Sequence, residues 1–387
     1  MRVVRLATVP FFLLHHLRSQ IDASVAAGHE VVLVSSPTDG ADVLERIAGV
    51  RFAPIDIPRG IAPLRDLAAL VSMVRLFRSF RPDVVHSTTP KAGLLSALAA
   101  FLARIRVRLH TFTGQPWLEL SGPIRWFSMA SDWLIAHLNT HCYADSPSQR
   151  DFLIAAGLCR AWNISVLESG SLAGVDLSRF DSASLAGRAL KCRETLGIPL
   201  TARVVLFVGR VTRDKGMLEL ADAFSRIKVA DSEAYLVVVG PTEPQRDPLP
   251  PALLQALESD DRIRMTGYDP APEKYLAMAD LLCLPSYREG FGNVVIEAGA
   301  LGVPTVGTRI DGLRDAVVDG VTGLLVPPKN VEALAVALAS LLKNEEKRKQ
   351  MGNAARERAR NLFDSRVVNG RVLEEYERLL GNRDSAR

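Results

Sequence analysis

The sequence predicts an α/β protein built from two doubly wound parallel-sheet domains, and three observations carry that expectation. The chain has 387 residues, enough for two cores at roughly 100–200 residues each. Short apolar, β-branched runs alternate with helical stretches from end to end, the pattern of parallel strands joined by covering helices. The alternation pauses in a Ser-, Asp- and Ala-rich stretch at 177–189 and restarts after Gly197-Ile198-Pro199. With 48% hydrophobic and 23% charged residues, a disordered or fibrous chain is excluded. No uninterrupted apolar run approaches the roughly 20 residues that cross a bilayer.

In the first domain, expected at 1–180, strands are predicted at 3–9, 30–35, 51–55, 83–86, 106–111 and 141–145, with helices at 64–80 and 91–104 among those between them. The basic start and the apolar run 6–14 imitate a signal peptide, but Pro10 splits the run and His15, His16, Arg18 and Asp22 follow at once. In the second domain, expected at 181–362, strands are predicted at 204–208, 235–240, 263–266, 281–285, 305–308 and 323–326, with a helix at 217–228. The last stretch, 363–387, reads as a helix returning to the first domain. Open parallel sheets bind ligands beyond the C-terminal ends of their strands, so a cleft between the two sheets is the expected site. The formal charge is +4, and the whole excess lies in residues 1–180. That suits a surface meeting anionic lipid or phosphate. It does not indicate nucleic acid, because no Lys/Arg stripe interleaves with aromatics. Four scattered cysteines without a C-x-x-C pair read as buried thiols.

Two loops carry chemistry. After the strand at 281–285 comes Tyr287-Arg288-Glu289-Gly290-Phe291-Gly292-Asn293, which opens a helix running through Glu297. A glycine-bearing loop at a helix start offers N–H groups and a positive dipole end to phosphate or sugar hydroxyls. Glu297 keeps apolar company, and a carboxylate there needs partners. The plainer alternative makes Glu289 a neighbour of the helix cap and Glu297 a solvated side chain. The second loop, Gly209-Arg210-Val211-Thr212-Arg213-Asp214-Lys215-Gly216, follows the strand at 204–208. Arg210 and Lys215 there could neutralise a departing diphosphate.

These loops, with Thr266-Gly267, Tyr275, Ala279-Asp280 and Pro285-Ser286, resemble the retaining GT-B glycosyltransferases of family 4. In the first domain, Asp83 to Gly93, His110 to Trp117 and Glu168 to Asp176 look like the subgroup that assembles bacterial capsule, O-antigen and lipid-linked oligosaccharides. The resemblance implies two Rossmann-like domains facing each other across a cleft. It implies transfer of a hexose or N-acetylhexosamine from a nucleotide sugar, UDP favoured, to a glycan on undecaprenyl diphosphate. Arg210 and Lys215 would hold the diphosphate, and Glu297 the ribose hydroxyls. Glu289 would contact the donor sugar, and the backbone of Gly290, Phe291, Gly292 and Asn293 would grip sugar and phosphate. Gly267 with the strand before it would lie along the base. His110 would face the donor sugar from the first domain. The favoured mechanism is front-face departure of the nucleoside diphosphate, without a protein nucleophile. No Asp-x-Asp sequence occurs, so no cofactor or metal is expected. The sequence departs from the family at Thr8-Val9-Pro10, where a Gly-Gly pair is frequent, at Ala173 in place of Asn, and at Gly240-Pro241, which lacks a second glycine.

His86 reads equally as a structural histidine or a ligand contact, and Lys91 could meet an acceptor diphosphate. The stretch from Trp117 to Leu138 holds three of the four tryptophans with Arg125. It suits a helix lying in an anionic headgroup layer, with Phe11 to Leu14 adding to that surface, or else an aromatic core helix. The expected place is cytoplasmic, peripheral on the inner face of the cytoplasmic membrane. The alternatives are a sugar-nucleotide epimerase on the same fold and a non-catalytic sugar-nucleotide-binding protein.

Overall fold

A computed structural model describes residues 1–245 and 247–384. The chain divides into two compact units: Met1–Gly174 together with the segment from Ser365, and Val175–Asp364.

Among the described residues the first unit has a seven-stranded parallel sheet. Its strands are β1 (Arg2–Leu6), β2 (Glu30–Ser35), β3 (Val50–Pro54), β4 (Val84–Thr88), β5 (Val107–Phe112), β6 (His141–Ala144) and β7 (Ile164–Val166), in spatial order β3-β2-β1-β4-β5-β6-β7. The strands are apolar on both sides because both sheet faces are covered. Val4, Leu6, Val32, Val34 and Val85 pack on Met73 and Phe77 of helix Pro63–Phe80 and Leu95 and Ala99 of helix Pro90–Leu102. On the opposite face, Val3, Val84, Val107, Leu109 and Tyr143 pack on Val372 and Tyr376 of the last helix, Ser365–Asp384.

The second unit has a six-stranded parallel sheet in the order β10-β9-β8-β11-β12-β13. The strands are β8 (Arg203–Val208), β9 (Ala234–Val239), β10 (Ile263–Gly267), β11 (Leu281–Leu284), β12 (Thr305–Thr308) and β13 (Gly323–Val326). Val204 to Phe207 are fully buried in its core. In each sheet the chain order reverses once, between β1 and β4 and between β8 and β11. Such switch points leave a crevice where neighbouring loops diverge.

Three local differences from the sequence expectation have physical reasons. The first strand stops at Leu6, and Pro10, whose missing N–H costs nothing at a helix start, opens a short helix, Pro10–His16. The Ser- and Ala-rich stretch taken for a break forms helix Ser182–Thr195. Asp181 caps it by accepting the Ser184 N–H at 2.9 Å, and Leu185, Ala189 and Cys192 bury one face. The three-residue edge strand β7 is too short to leave a pattern.

Candidate functional site

The two chemically marked loops meet at the switch point of the second sheet. Arg210 and Lys215 lie beyond β8, and Glu289 lies beyond β11. Gly216 is what lets the loops close on each other. Its φ is +74°, and a Cβ there would lie 2.2 Å from the Pro285 carbonyl oxygen. Lys215 Nζ reaches Glu289 Oε1 at 2.5 Å, and the Ser286 hydroxyl donates to the same oxygen at 2.8 Å. Both charged side chains are about five-sixths buried.

Beside this pair stands Asp214, which the sequence reading did not single out. Its carboxylate accepts Arg210 Nη2 at 3.1 Å, Arg288 Nη2 at 2.9 Å and the Thr212 hydroxyl. Burial alone would raise its pKa. The Thr212 bond and the charges of Arg210, Arg288 and Lys215 outweigh that and hold it below the usual carboxylate range. Arg210 also donates to Glu243 Oε2 at 3.1 Å, beyond β9. Burial opposes the Arg210 charge, yet Asp214 and Glu243 keep its pKa above the ordinary value. The cluster is thus three cations interleaved with three carboxylates. Arg210 and Lys215 make fewer bonds here than they have donors: an ammonium has three and a guanidinium five.

Gly292, at φ +90°, turns the chain into helix Asn293–Ala300. The first N–H groups of a helix have no partner within it, and this helix starts at Gly292 and Asn293, shortly after Glu289. Phe291 contributes backbone only, because its ring is buried against Phe363 at 5.2 Å. Glu297 lies in the second turn, partly exposed. Burial pushes its pKa up to about 7, with Arg179 opposing the rise and Glu273 adding to it. Gly267 ends β10, and its carbonyl accepts the Gly240 N–H at 2.8 Å. Arg210, Lys215, Gly267, Glu289 to Asn293 and Glu297 therefore share one unit and emerge from one edge of one sheet or the helix that starts there. Among the described residues, no three His, Cys, Asp or Glu side chains converge as a metal-binding group.

The first-unit residues are placed differently. His110 is inside β5 and only 2% exposed. Its Nδ1 is 2.9 Å from the Ser87 hydroxyl, and Gly93 leaves room for the ring. Burial pulls its pKa down to about 3, so the imidazole is neutral at pH 7. His86 is a satisfied core histidine: Nδ1 meets the Tyr376 hydroxyl at 2.7 Å and Nε2 the Thr111 hydroxyl at 2.8 Å. Lys91 is tied to Asp66 Oδ2 at 2.6 Å and the Gly60 carbonyl at 3.1 Å. Where the family often has Gly-Gly, the Thr8 N–H donates to the Thr89 hydroxyl at 3.0 Å, joining the loops after β1 and β4.

The tryptophan-rich stretch divides in two. Trp117 is core: it stacks on Phe152 and donates to Asp132 Oδ2 at 2.7 Å. Helix Gly122–Leu138 buries Asp132, Ile135 and Ala136 but exposes Trp126 at 71% and Phe127 at 61%. No helix among the described residues is long and apolar enough to cross a membrane.

Comparison with known proteins matches both units. Residues 190–358 match the family described as glycosyl transferases group 1, and residues 15–170 match the glycosyl transferase 4-like domain. The capsular polysaccharide biosynthesis glycosyltransferase CapM of Staphylococcus aureus is 30% identical over 357 residues, 91% of this chain and 90% of CapM. The D-inositol 3-phosphate glycosyltransferase of Corynebacterium efficiens is 41% identical over 178 residues, 44% of this chain and 42% of that enzyme. Among solved structures, sucrose-phosphate synthase from Thermosynechococcus elongatus superposes with a TM-score of 0.82 at 22% identity, covering 99% of this chain and 100% of that one. HepE of Anabaena, solved with UDP and glucose, gives 0.79 at 21% identity, covering 97% and 99%. With a relative aligned along nearly the whole chain, a matching family on each unit and two Rossmann-like sheets, the chain belongs to the GT-B glycosyltransferases of the group 1 and group 4 type.

Proposed function

We propose that the enzyme moves a hexose or N-acetylhexosamine from a nucleotide sugar to a lipid-linked glycan, retaining anomeric configuration and needing no metal. The observation that carries this is the Lys215–Glu289 pair at the switch point of the second sheet, flanked by Arg210 and by a helix start. Bond cleavage at the sugar leaves a diphosphate. Lys215 and Arg210 have donors to spare for it, and electrostatic stabilisation of a leaving group is the largest single contribution such a site can make. Glu289 would take hydroxyls of the donor sugar through its second oxygen, Lys215 and Ser286 bonding the first. Glu297 would accept the ribose hydroxyls, and the residues up to Gly267 would lie along the base. UDP is the favoured nucleotide, supported by the complex of HepE with UDP and glucose. His110 is assigned a neutral hydrogen-bonding role toward the donor sugar. A glycan acceptor for surface polysaccharide is supported by the likeness to CapM.

The enzyme would work at the cytoplasmic face of the membrane, with Trp126 and Phe127 in the headgroup layer and Arg125 beside anionic lipid. Lys215→Ala and Glu289→Ala each should reduce transfer by at least about a hundredfold, as loss of an oxyanion-type donor does, in proteins that stay folded by circular dichroism but melt lower because each leaves a buried charge without its partner. Near-normal turnover in both variants overturns the site. Turnover that survives EDTA supports metal independence, and an inverted product sinks the retaining assignment.

A further inference from the structure

Within the second unit, Arg210 is held by two carboxylates of different character. Asp214 belongs to the same loop as Arg210, and its side chain is only 4% exposed. Besides Arg210 it keeps Arg288 and the Thr212 hydroxyl, so it stays fixed whether or not Arg210 remains. Glu243 comes from the loop after β9, and its side chain is 21% exposed. Among the described residues its carboxylate is bonded by Arg210 alone, at 3.1 Å. Arg210 therefore has one partner built into the frame and one that depends on Arg210 itself.

The backbone that carries Glu243 is pinned on both sides. Before it, Gly240 adopts φ +148°, and a Cβ there would collide with the Gly209 carbonyl oxygen, so the loops after β8 and β9 touch main chain to main chain. The Val211 N–H donates to the Pro241 carbonyl at 2.9 Å. After it, Asp247 Oδ2 accepts the Asp214 N–H at 2.8 Å, and the Pro248 carbonyl accepts Arg213 Nε at 3.0 Å. Pro244 directly follows Glu243 and narrows its backbone choices further. The freedom left to Glu243 is rotation of its own side chain between staggered positions, not displacement of a loop.

A guanidinium fork pairs as readily with phosphate oxygens as with a carboxylate. A diphosphate arriving at Arg210 meets Glu243 as a like charge at the same fork, and the two anions repel at that range. We propose that Glu243 is an exchangeable counterion for Arg210. It holds the guanidinium while the site is empty, rotates away when the diphosphate of a nucleotide takes over, and reclaims Arg210 as the nucleoside diphosphate leaves. No covalent bond changes in this exchange, and Glu243 acts through Arg210 as a positioning residue. A cation that neutralises a leaving diphosphate also grips the free product, and product release limits many turnovers. Glu243 counters that grip by competing for the same donors. The inference rests on the proposed placement of Arg210 at the diphosphate and adds how the site lets the product go.

The test titrates the full chain with UDP, and in parallel with GDP and ADP, by calorimetry, and follows dissociation by stopped flow. Arg210→Ala should weaken binding at least about tenfold. Glu243→Gln should bind about threefold more tightly than the wild type, through slower dissociation. That gain should shrink as salt rises from about 0.1 M to about 1 M. Glu243→Gln added to Arg210→Ala should change affinity no further. A Glu243 that only props Arg210 predicts the opposite sign, weaker binding and faster release. Unchanged or weaker binding in Glu243→Gln, beside an Arg210→Ala variant that has lost affinity, overturns the exchange and leaves the donor site standing. Equal tightening with and without Arg210 also overturns it, because Glu243 would then repel the phosphates directly. Binding of none of the three nucleotides, or an affinity indifferent to Arg210→Ala, overturns the donor reading and the exchange together.

Discussion

Glu297 shows how one carboxylate links environment to ligand. Burial lifts its pKa to about 7, so the folded protein favours its protonated form near neutrality. A folded pKa above the unfolded value contributes stability that is full below the unfolded pKa and is lost as pH rises through the folded one. Glu297→Gln should therefore flatten the stability loss between about pH 5 and pH 8, read from urea unfolding across that range. A diol is bound best by the ionised form. Affinity for UDP in the wild type should rise from about pH 6 to about pH 8 and become nearly pH-independent in Glu297→Gln. A flat wild-type profile by calorimetry removes the ribose role.

Asp214 behaves oppositely. Its lowered pKa means stability present above the unfolded carboxylate value and lost as pH falls through the folded one. Asp214→Asn strands Arg210 and Arg288 and should cost roughly 1–3 kcal/mol in chemical unfolding, below the value for fully buried pairs because both arginines reach solvent. Lys215, Arg210 and Glu289 were legible in the sequence because each sits in a glycine-marked loop beside a strand. Asp214, Glu243 and Arg288 were not, although two of them lie within the same loops. Their roles are ion pairs between loops that only the strand order brings together.

At the scale of elements, the same composition can conceal opposite fates. Ser182 to Thr195 reads as a linker because Ser, Asp and Ala are common in loops. Asp181 is instead a cap, and Ala189 joins Leu185 and Cys192 on the buried face of a helix. Trp117 and Trp126 sit nine residues apart, one sealed by Phe152 and Asp132, the other in solvent. Residue type alone cannot separate them, since the difference lies in which face of the next helix meets the sheet. Trp117→Ala should destabilise by about 3–5 kcal/mol in urea titration. Trp126→Ser with Phe127→Ser should leave stability within about 0.5 kcal/mol of wild type yet release the protein from anionic membranes. Lost stability in the second variant would make those rings part of the core.

At the scale of the whole molecule, the last helix decides what counts as a unit. Its return to the first unit was expected from the sequence, and helix Ser365–Asp384 supplies Val372 and Tyr376 to that core. The sequence could not show the polar contacts that hold it. The Tyr376 hydroxyl joins His86 and the buried guanidinium of Arg5, whose other terminal nitrogen donates to Gln20 at 2.6 Å. The second unit keeps its own edges, with the Val175 N–H bonded to the Phe363 carbonyl at 2.7 Å where the chain enters and leaves it. A fragment of residues 175–364 should unfold cooperatively by calorimetry, whereas residues 1–174 should not, having lost one wall of their core. A sharp transition in the shorter fragment would show that the last helix is an accessory.

That arrangement also sets a timetable for synthesis. One face of the first sheet, with Val3, Val84, Val107, Leu109 and Tyr143, waits for a helix that follows the whole second unit in the chain. At 5–20 residues per second, the ribosome needs roughly 10–40 s to make the intervening unit. For that interval this face of the first sheet lacks the cover that Val372 and Tyr376 later supply.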